Sequence, residues 1–421
     1  MNVLIKNVTV LDKYSRFHNK KVNIHIVQGK IKQIGNTNGN TKSKTIEGKN
    51  LYVSPGWFDI GTRLTEPGHE NLDDLDTLSQ SASKGGFTGL AVFPNTNPVV
   101  DNKSIVTTIL SKSSNKITDI FPIAAITNTN NGLELSEMID LYKHGAIAFS
   151  DGKTPLAHAG VMSRALNYSS NLPTPIINHP EDMNISESGI LNEGKMSVYL
   201  GMKGRPSIAE ISMVQRDILL SEYNEAQLIS HMISTSESVK LIKAAKRKKI
   251  KINATVSYHN LVADEDVLKD FDSMHKVIPP LRTKRDKNNL IKGILDNTID
   301  AIVSNHYPLD IEDKRKAFFD TKYGAIGLEN MFSTLNTIIG AKVSLEVLID
   351  KISNKPREIL GLNPVILEEG KIANLTIFTP NEDFIFTENE IKSKSKNSPF
   401  IGQKLTGKVL GVINKGMLKM V

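Results

Sequence analysis

The stretch "PGWFDIGTRLTEPGHE" runs from Pro55 to Glu70 and starts with an apolar strand that passes into a polar loop. Gly61 and Arg63 occupy alternate positions of that strand, so their side chains point to one face. Two histidines at this spacing would clamp a metal ion. The sequence instead places a residue without a side chain and a permanently charged one at these two positions.

Downstream, short apolar runs alternate with stretches of helical periodicity, for example Leu72 to Lys84, Ile208 to Tyr223 and Ser236 to Arg247. This alternation is typical of βα units and a parallel sheet. Eight such units, without a GxGxxG turn after the first strand, favour a (β/α)8 TIM barrel over an open doubly wound sheet. The eight predicted strands are "WFDIGT", "TGLAVF", "DIFPIAAI", "AIAF", "TPIIN", "QLIS", "IKINAT" and "AIVS".

Both ends of the chain have a different pattern, with period-two alternation broken by turn residues over roughly 50 residues each. "NVLIKNVTVLD" near the start and "GKVLGVINKGMLKMV" at the end are of matching character. We therefore predict one small β domain built from residues 1–54 and 366–421, and a barrel domain over residues 55–365.

The composition and charge of the chain exclude several classes of site and partner. The 421 residues contain no cysteine, which excludes disulfides, thiolate metal sites and cysteine nucleophiles and fits a cytoplasmic protein. The first residues show no signal-peptide pattern, and no apolar run is long enough to cross a membrane. The net charge is +7, but the densest basic cluster, "KAAKRKKIK", suits a solvated helix end. We predict no nucleic-acid and no membrane partner.

The C-terminal ends of barrel strands are where active sites form. Here those ends carry a series of polar residues, in chain order Arg63, Asn95, Asp151, His179, His231, Asn253, Asn305 and His306. The polar residues therefore fall where a barrel enzyme would have its site.

These strand ends and the sequence segments between them resemble the dihydroorotases of the longer bacterial type, within the amidohydrolase superfamily. "SPGWFDIGTRLTEPGHE" is similar to the family's PGxxDxHxHxREPG opening, "GGFTGLAVFPNTNPVVD" to GGFTxVxxMPNTxPxxD, and "GAIAFSDG" to GAxxFxDDG. "GRPSIAEISMVQRDILL", "KVIPPLR", "SNKPREILGL" and "LEEGKIANLTIF" follow in family order. The similarity covers nearly the whole chain.

The resemblance implies a barrel flanked by a small β-sandwich domain and an enzyme of pyrimidine biosynthesis. Such enzymes interconvert carbamoyl aspartate and dihydroorotate with one or two zinc ions, which polarise the ring carbonyl and activate a bound water. A strand-eight aspartate ligates the metal and moves the proton, and a strand-one arginine holds the substrate carboxylate.

The chain departs from the family at those functional positions. The HxHxR motif is Gly61, Arg63 and Thr65, and the strand-eight aspartate is Asn305. Glycine offers no donor atom, protonated arginine repels a cation, and an amide cannot act as a general base. Three further positions depart from the family. The second aspartate after strand four is Gly152 here, and a substrate-contacting asparagine is Ile278. The last histidine of DHAPH, the family's motif at the last barrel strand, is Leu309.

The polar residues that remain are few. We predict a vestigial, unoccupied metal site at His179, His231 and Asp151, and substrate contacts at Asn95 and Arg63. Two histidines are at most half of a tetrahedral zinc shell, and the explanation we favour is that they are buried, hydrogen-bonded residues of the barrel mouth. No catalytic residue and no cofactor are predicted.

Three hypotheses follow. The favoured one is a non-catalytic dihydroorotase homologue, a pseudoenzyme and homodimer, which the resemblance links to aspartate transcarbamoylase as a structural partner. The alternative is an active metal-dependent cyclic amidohydrolase, dihydroorotase or hydantoinase-like, with one zinc on His179, His231 and Asp151. A third is a sensor in which Arg63 holds an acidic metabolite, so whether the chain is an enzyme stays open.

Overall fold

The computed structural model describes residues 1–37 and 43–421. Within these ranges the chain forms eighteen strands and thirteen α-helices. The strands are β1 (Asn2–Val10), β2 (Lys21–Val27), β3 (Lys30–Gly35), β4 (Lys44–Ile46), β5 (Tyr52–Pro55), β6 (Trp57–Arg63), β7 (Phe87–Phe93), β8 (Asp119–Ala124), β9 (Ala148–Phe149), β10 (Ile176–Asn178), β11 (Leu191–Asn192), β12 (Gly204–Arg205), β13 (Leu228–Ser230), β14 (Ile252–Ser257), β15 (Ala301–Val303), β16 (Leu375–Ile385), β17 (Lys404–Asn414) and β18 (Met417–Met420). The helices are α1 (Leu75–Lys84), α2 (Lys103–Ser113), α3 (Met138–Lys143), α4 (Ala159–Ser169), α5 (Met183–Ser186), α6 (Lys195–Tyr199), α7 (Ser207–Asn224), α8 (Ser236–Arg247), α9 (Tyr258–Val262), α10 (Lys284–Leu295), α11 (Met331–Ile339), α12 (Leu345–Ile352) and α13 (Asn354–Ile359).

Eight parallel strands form the barrel, in the order β15-β14-β13-β10-β9-β8-β7-β6. They are the eight strands that the apolar runs predict, so the (β/α)8 prediction is confirmed. The three helices named from periodicity also form, as α1, α7 and α8. β7 is buried along its whole length because helices cover one face and the barrel interior the other.

Apolar side chains fill the barrel interior rather than leaving a channel. Phe58 and Ile60 of β6 meet Ala91 and Phe93 of β7 there, together with Ile229 of β13. Branched and aromatic residues packed in layers are what this fold uses as its core. The apolar filling therefore extends along β7 to Phe93, the last residue of the strand.

Asp59 joins the first and last barrel strands. Its carboxylate is fully buried, and it accepts hydrogen bonds from the Ser304 amide and hydroxyl, both at 2.7 Å. Thr62 donates a third hydrogen bond at 2.5 Å. Burial raises the pKa of Asp59 against the opposing effect of these donors. The Arg63 amide adds a backbone bond to the His306 carbonyl at 3.1 Å, so an acidic side chain and a main-chain contact both help to close the barrel.

The small β-sandwich domain takes strands from both ends of the chain. Its eight strands follow the order β18-β17-β16-β5-β1-β2-β3, and β4 pairs with β1. β5 and β16 pair antiparallel, with Val53 opposite Ile377, and so tie the two ends together. The limits at residues 54 and 366 stay a prediction, and five residues of the range 1–54, residues 38–42, lie outside the described residues.

In the part of the chain that the structure describes, no helix combines the length and the apolar character needed to cross a membrane.

We expect Asp59→Asn to lower the free energy of unfolding by about 2 kcal/mol, because an amide cannot accept from all three donors and leaves one of them buried and unpaired. Urea denaturation measures the change. Asp270→Asn, at an exposed position, is the matched control and should leave the unfolding midpoint unchanged. Equal midpoints for both variants would show that Asp59 does not hold the barrel closed.

Candidate active-site region at the barrel mouth

The predicted site residues do not all meet in one place. A cavity of about 740 Å³ opens among the loops that follow the barrel strands, and Arg63 lines it. Asn95, Asp151, His179 and His231 are not among the residues that line this cavity. Arg63 therefore lines this cavity, and the predicted metal-site residues lie outside its lining.

His231 is buried against apolar atoms. Its Nδ1 lies 2.9 Å from the Thr255 hydroxyl, while its Nε2 is buried without a hydrogen-bond partner. The Phe93 ring meets the imidazole edge-on, with centroids 5.1 Å apart. Burial first, and then the charges of His179 and Lys153, lower the pKa of His231 well below its usual value. The imidazole is therefore neutral at physiological pH.

Gly61 lies against these same two rings. Its backbone has φ of +84°, and a Cβ placed there would come within 2.6 Å of Phe93 and 2.7 Å of His231 Nε2. Such distances are shorter than any real Cβ contact, so even alanine requires Phe93 or His231 to move. The space for a side chain at position 61 is filled by Phe93.

His179 belongs to a buried charged network. Its Nδ1 donates to the His231 carbonyl at 3.4 Å, and its Nε2 lies 3.8 Å from the Glu181 carboxylate. Arg205 approaches the same carboxylate at 3.3 Å. Burial tends to raise the pKa of Glu181, but His179 and then the charges of Arg205 and Arg282 outweigh it and lower that pKa. His179 thus has an anionic neighbour that the sequence did not indicate.

Asp151 uses its carboxylate within the fold. Oδ1 accepts from the amides of Ile126 and Thr127 at 2.9 and 3.0 Å, and Oδ2 accepts from the Thr127 hydroxyl at 2.6 Å. Burial raises the pKa of Asp151 in spite of these donors. Both oxygens therefore hold the loop after β8, which is a structural role.

Asn95 occupies the space beside Gly152. Its Nδ2 donates to the Asp151 carbonyl at 3.1 Å, and its Oδ1 lies 1.7 Å from where a Cβ at position 152 would be. Gly152 also has φ of +70°. A carboxylate side chain at 152 is therefore incompatible with Asn95 in this position.

Asn305 and His306 follow the last barrel strand and form hydrogen bonds with residues of neighbouring segments. Asn305 adopts a left-handed backbone, with φ of +49°, which asparagine tolerates better than most residues. Its Nδ2 donates to Ser257 and to the Ile278 carbonyl, at 3.2 and 3.0 Å. His306 Nδ1 accepts from the Gly327 and Leu328 amides, and its Nε2 lies 3.7 Å from Asp73.

Arg63 shares an aromatic ring with a residue that sequence reasoning missed. Its guanidinium lies 4.3 Å from the Tyr307 ring centroid and donates to the Pro308 carbonyl at 3.0 Å. The Lys153 ammonium lies 4.2 Å from the same centroid. Burial, then the charges of Arg63 and Lys314, lower the pKa of Lys153 to about 7. The available signal was position, since Lys153 and Tyr307 both come just after strand ends.

Among residues 1–37 and 43–421, no group of three or more histidine, aspartate or glutamate side chains is arranged to hold a metal ion.

Solved structures share the fold of this chain. The L-hydantoinase of Arthrobacter aurescens superposes with a TM-score of 0.86 at 21% identity, over 100% of this chain and 97% of that one. The dihydropyrimidinase of Brevibacillus agri superposes with a TM-score of 0.83 at 20% identity, over 99% and 95%. At such identities the similarity shows a shared barrel and β-sandwich architecture.

Comparison of the amino-acid sequence with known proteins shows the family to which the chain belongs. Residues 50–238 match the family model described as dihydro-orotase-like. The dihydroorotase of Ruminiclostridium cellulolyticum is 38% identical over 410 residues, 97% of this chain and 96% of the relative. That of Acetivibrio thermocellus is 38% identical over 417 residues, 98% of each chain. The chain belongs to the dihydroorotase family, and so to a family of pyrimidine biosynthesis.

We expect Gly61→Ala to be more destabilising than Gly132→Ala. Both glycines have positive φ, +84° and +73°, so each alanine costs about 1–2 kcal/mol in backbone strain. Only Gly61 has neighbours within 4 Å of the added methyl group, and overpacking there adds about 1–3 kcal/mol. Unfolding free energies from urea titration make the comparison. If the two variants are equally stable, Phe93 yields freely and the packing argument fails.

Proposed function

We propose that this chain is a dihydroorotase-family protein that has lost the zinc site and acts without catalysing the family reaction. The observation that carries the proposal is the packing of Phe93 and His231 around Gly61. The position at which the family has its first ligand has neither a donor atom nor room for one.

The remaining donors do not fit a zinc ion. Zinc in proteins takes four ligands, or three and a water molecule. His179 and His231 are two, and the Asp151 carboxylate already accepts three hydrogen bonds from Ile126 and Thr127. The unpartnered Nε2 atoms of both histidines and the unpartnered Oδ1 of Asn305 favour a metal. Against it, Arg63 places a positively charged side chain at another of the family's ligand positions.

The groups needed for the chemical step are also replaced. Asn305 stands where the family has its general base, and its amide binds Ser257 and the Ile278 carbonyl. Thr65 stands where an arginine would hold the substrate carboxylate, and its hydroxyl donates to the Asp73 carbonyl at 2.7 Å. Each replacement is bonded within the protein, which supports a fold that is stable without substrate or metal.

The competing candidate is an active metal-dependent cyclic amidohydrolase. The names of the relatives that are 38% identical favour it, since both are called dihydroorotase. Such a site would have to recruit Asp151 with His179 and His231, and Asp151 would then give up its bonds to the loop after β8.

Elemental analysis of the purified protein, beside a dihydroorotate hydrolysis assay, separates the two candidates. We expect no stoichiometric zinc and no ring opening above the uncatalysed rate, because the donor set is incomplete. The dihydroorotase of Acetivibrio thermocellus, purified and assayed in parallel, controls for metal loss during preparation. One zinc per chain together with hydrolysis that a chelator abolishes would establish the competing candidate.

We further propose that the chain is a homodimer in the cytoplasm and supports the assembly of aspartate transcarbamoylase. This proposal rests on the family resemblance and on a barrel that keeps the family fold without the residues for the family reaction. Fold alone does not fix function, so the partner needs a test of its own.

Co-purification tests the partner. An affinity-tagged copy of this chain, expressed at its native level, should retain aspartate transcarbamoylase after washing at physiological salt, and deletion of the chain should impair assembly of that enzyme. Size-exclusion chromatography of the deletion strain's extract measures the assembly. A transcarbamoylase of normal size and activity in that strain would refute the proposed role.

A further inference from the structure

A second cavity lies at the β-sandwich domain, and we call it the sandwich cavity. Its volume of about 500 Å³ falls in the range of small-molecule sites, about 300–1,000 Å³. It is lined by Lys30 of β3, by residues of the segment 364–374 that leads into β16, and by Asn414 of β17.

The sandwich cavity lies at the end of the barrel opposite the mouth. Asn374 lines it and accepts a hydrogen bond from the Thr88 hydroxyl at 2.6 Å. Thr88 is the second residue of β7, so this contact is at the N-terminal end of a barrel strand. The N-terminal ends of the strands face away from the loops that form the active site of a barrel. No described residue lines both this cavity and the one at the barrel mouth.

The lining of the sandwich cavity is basic. Lys30 and Lys371 both line it, and none of its lining residues in the described part of the chain is acidic. Neither lysine forms an ion pair within the described ranges 1–37 and 43–421. A concave surface lined by charges of one sign concentrates ions of the opposite sign. The cavity therefore favours an anion.

Acidic side chains of the neighbouring segments do not cancel this charge inside the cavity. Glu368 and Glu369 belong to the same segment but do not line the cavity, and Glu369 pairs with Arg16 at 2.9 Å. Asp119 pairs with Lys415 at 2.8 Å. The carboxylates of Glu369 and Asp119 are thus held by cations other than the two lysines of the lining.

Asn374 adds a neutral hydrogen-bond donor to the lining. Its Oδ1 accepts from Thr88, and this bond fixes the orientation of the amide group. Its Nδ2 donates to no acceptor among the described residues. An amide nitrogen carries two N–H donors, so Asn374 can bind an oxyanion beside the lysines.

An apolar wall adjoins these donors. Lys30 and Ile372 are partners in an antiparallel bridge, so their side chains lie side by side on one face. Ile372 is 64% exposed, and the partly buried Val365 and Ile366 line the same cavity. Such a surface beside two ammonium groups suits a molecule with an apolar body and an anionic end.

We propose that the sandwich cavity binds a small amphipathic organic anion, with its carboxylate or phosphate group bound by the two lysines and Asn374 and its apolar body against Ile372. The site is remote from the barrel mouth, so the proposal goes beyond the proposed function. It holds whether or not the chain binds zinc or catalyses a reaction.

Isothermal titration calorimetry of the intact protein tests the site with hexanoate and hexyl phosphate at constant ionic strength, and 1-hexanol is the uncharged counterpart. The double variant Lys30→Gln/Lys371→Gln removes both charges, and Ile372→Ser removes the apolar wall. Lys32→Gln is the matched control, because Lys32 is exposed on the same strand and outside the lining. Arg63→Gln controls for binding at the barrel mouth. Thermal unfolding verifies that each variant is folded.

We expect at least one anion to bind the wild-type protein more tightly than 1-hexanol does. Its Kd should rise about tenfold or more in the double variant and in Ile372→Ser, and stay unchanged in Lys32→Gln and Arg63→Gln. Tighter binding of hexanoate would assign a carboxylate ligand, and tighter binding of hexyl phosphate would assign a phosphate ester.

Three outcomes would overturn the proposal. They are no binding of either anion up to about 10 mM, equally tight binding of 1-hexanol, and an unchanged Kd in the double variant. A weakened affinity in Arg63→Gln would also overturn it, because the ligand would then lie at the barrel mouth. Neither zinc content nor turnover enters this measurement, so its outcome is distinct from that of the metal assay.

Discussion

The buried carboxylate of Asp59 is the contact on which the barrel mouth depends. By accepting from Ser304, it holds the first barrel strand against the last, which are the two strands that a parallel barrel must join to close. Closure places Arg63, at the end of β6, beside Tyr307 and Pro308, which follow β15. A loosened junction would separate those groups, so the geometry of the cavity depends on the buried Asp59 side chain.

The departures from the family pattern are packed rather than left empty. Phe93 fills the space beside Gly61, and Asn95 fills the space beside Gly152. In each pair a residue without a side chain faces a larger one, which is how a close-packed interior accommodates the loss of a side chain. Restoring a metal ligand at position 61 or 152 by a single substitution would therefore create a clash instead of a site.

Several basic side chains lie at and behind the barrel mouth. Arg63 and Lys153 place two cations near the cavity, and Lys314 and Lys276 lie close behind it with pKa values lowered by burial to about 7 and about 8. Both of these lysines donate to backbone carbonyls, Lys276 to Phe318 and Thr321 among them. Burial therefore lowers the pKa of several lysines at and behind this cavity.

The sequence by itself determined the eight barrel strands, the β domain made from both termini and the polar character of the strand ends, because periodicity and turn residues are local properties. It also predicted that Gly61, Arg63 and Asn305 do not supply the family's metal ligands, because donor capacity belongs to the residue type. Only the tertiary structure decided which residues are in contact. The Asp151 carboxylate accepts a hydrogen bond from Thr127, the Phe93 ring packs edge-on against His231, and Lys153 and Arg63 both contact the Tyr307 ring. Those contacts join residues far apart in the chain, and their geometry follows from barrel closure and side-chain packing, which no local pattern encodes.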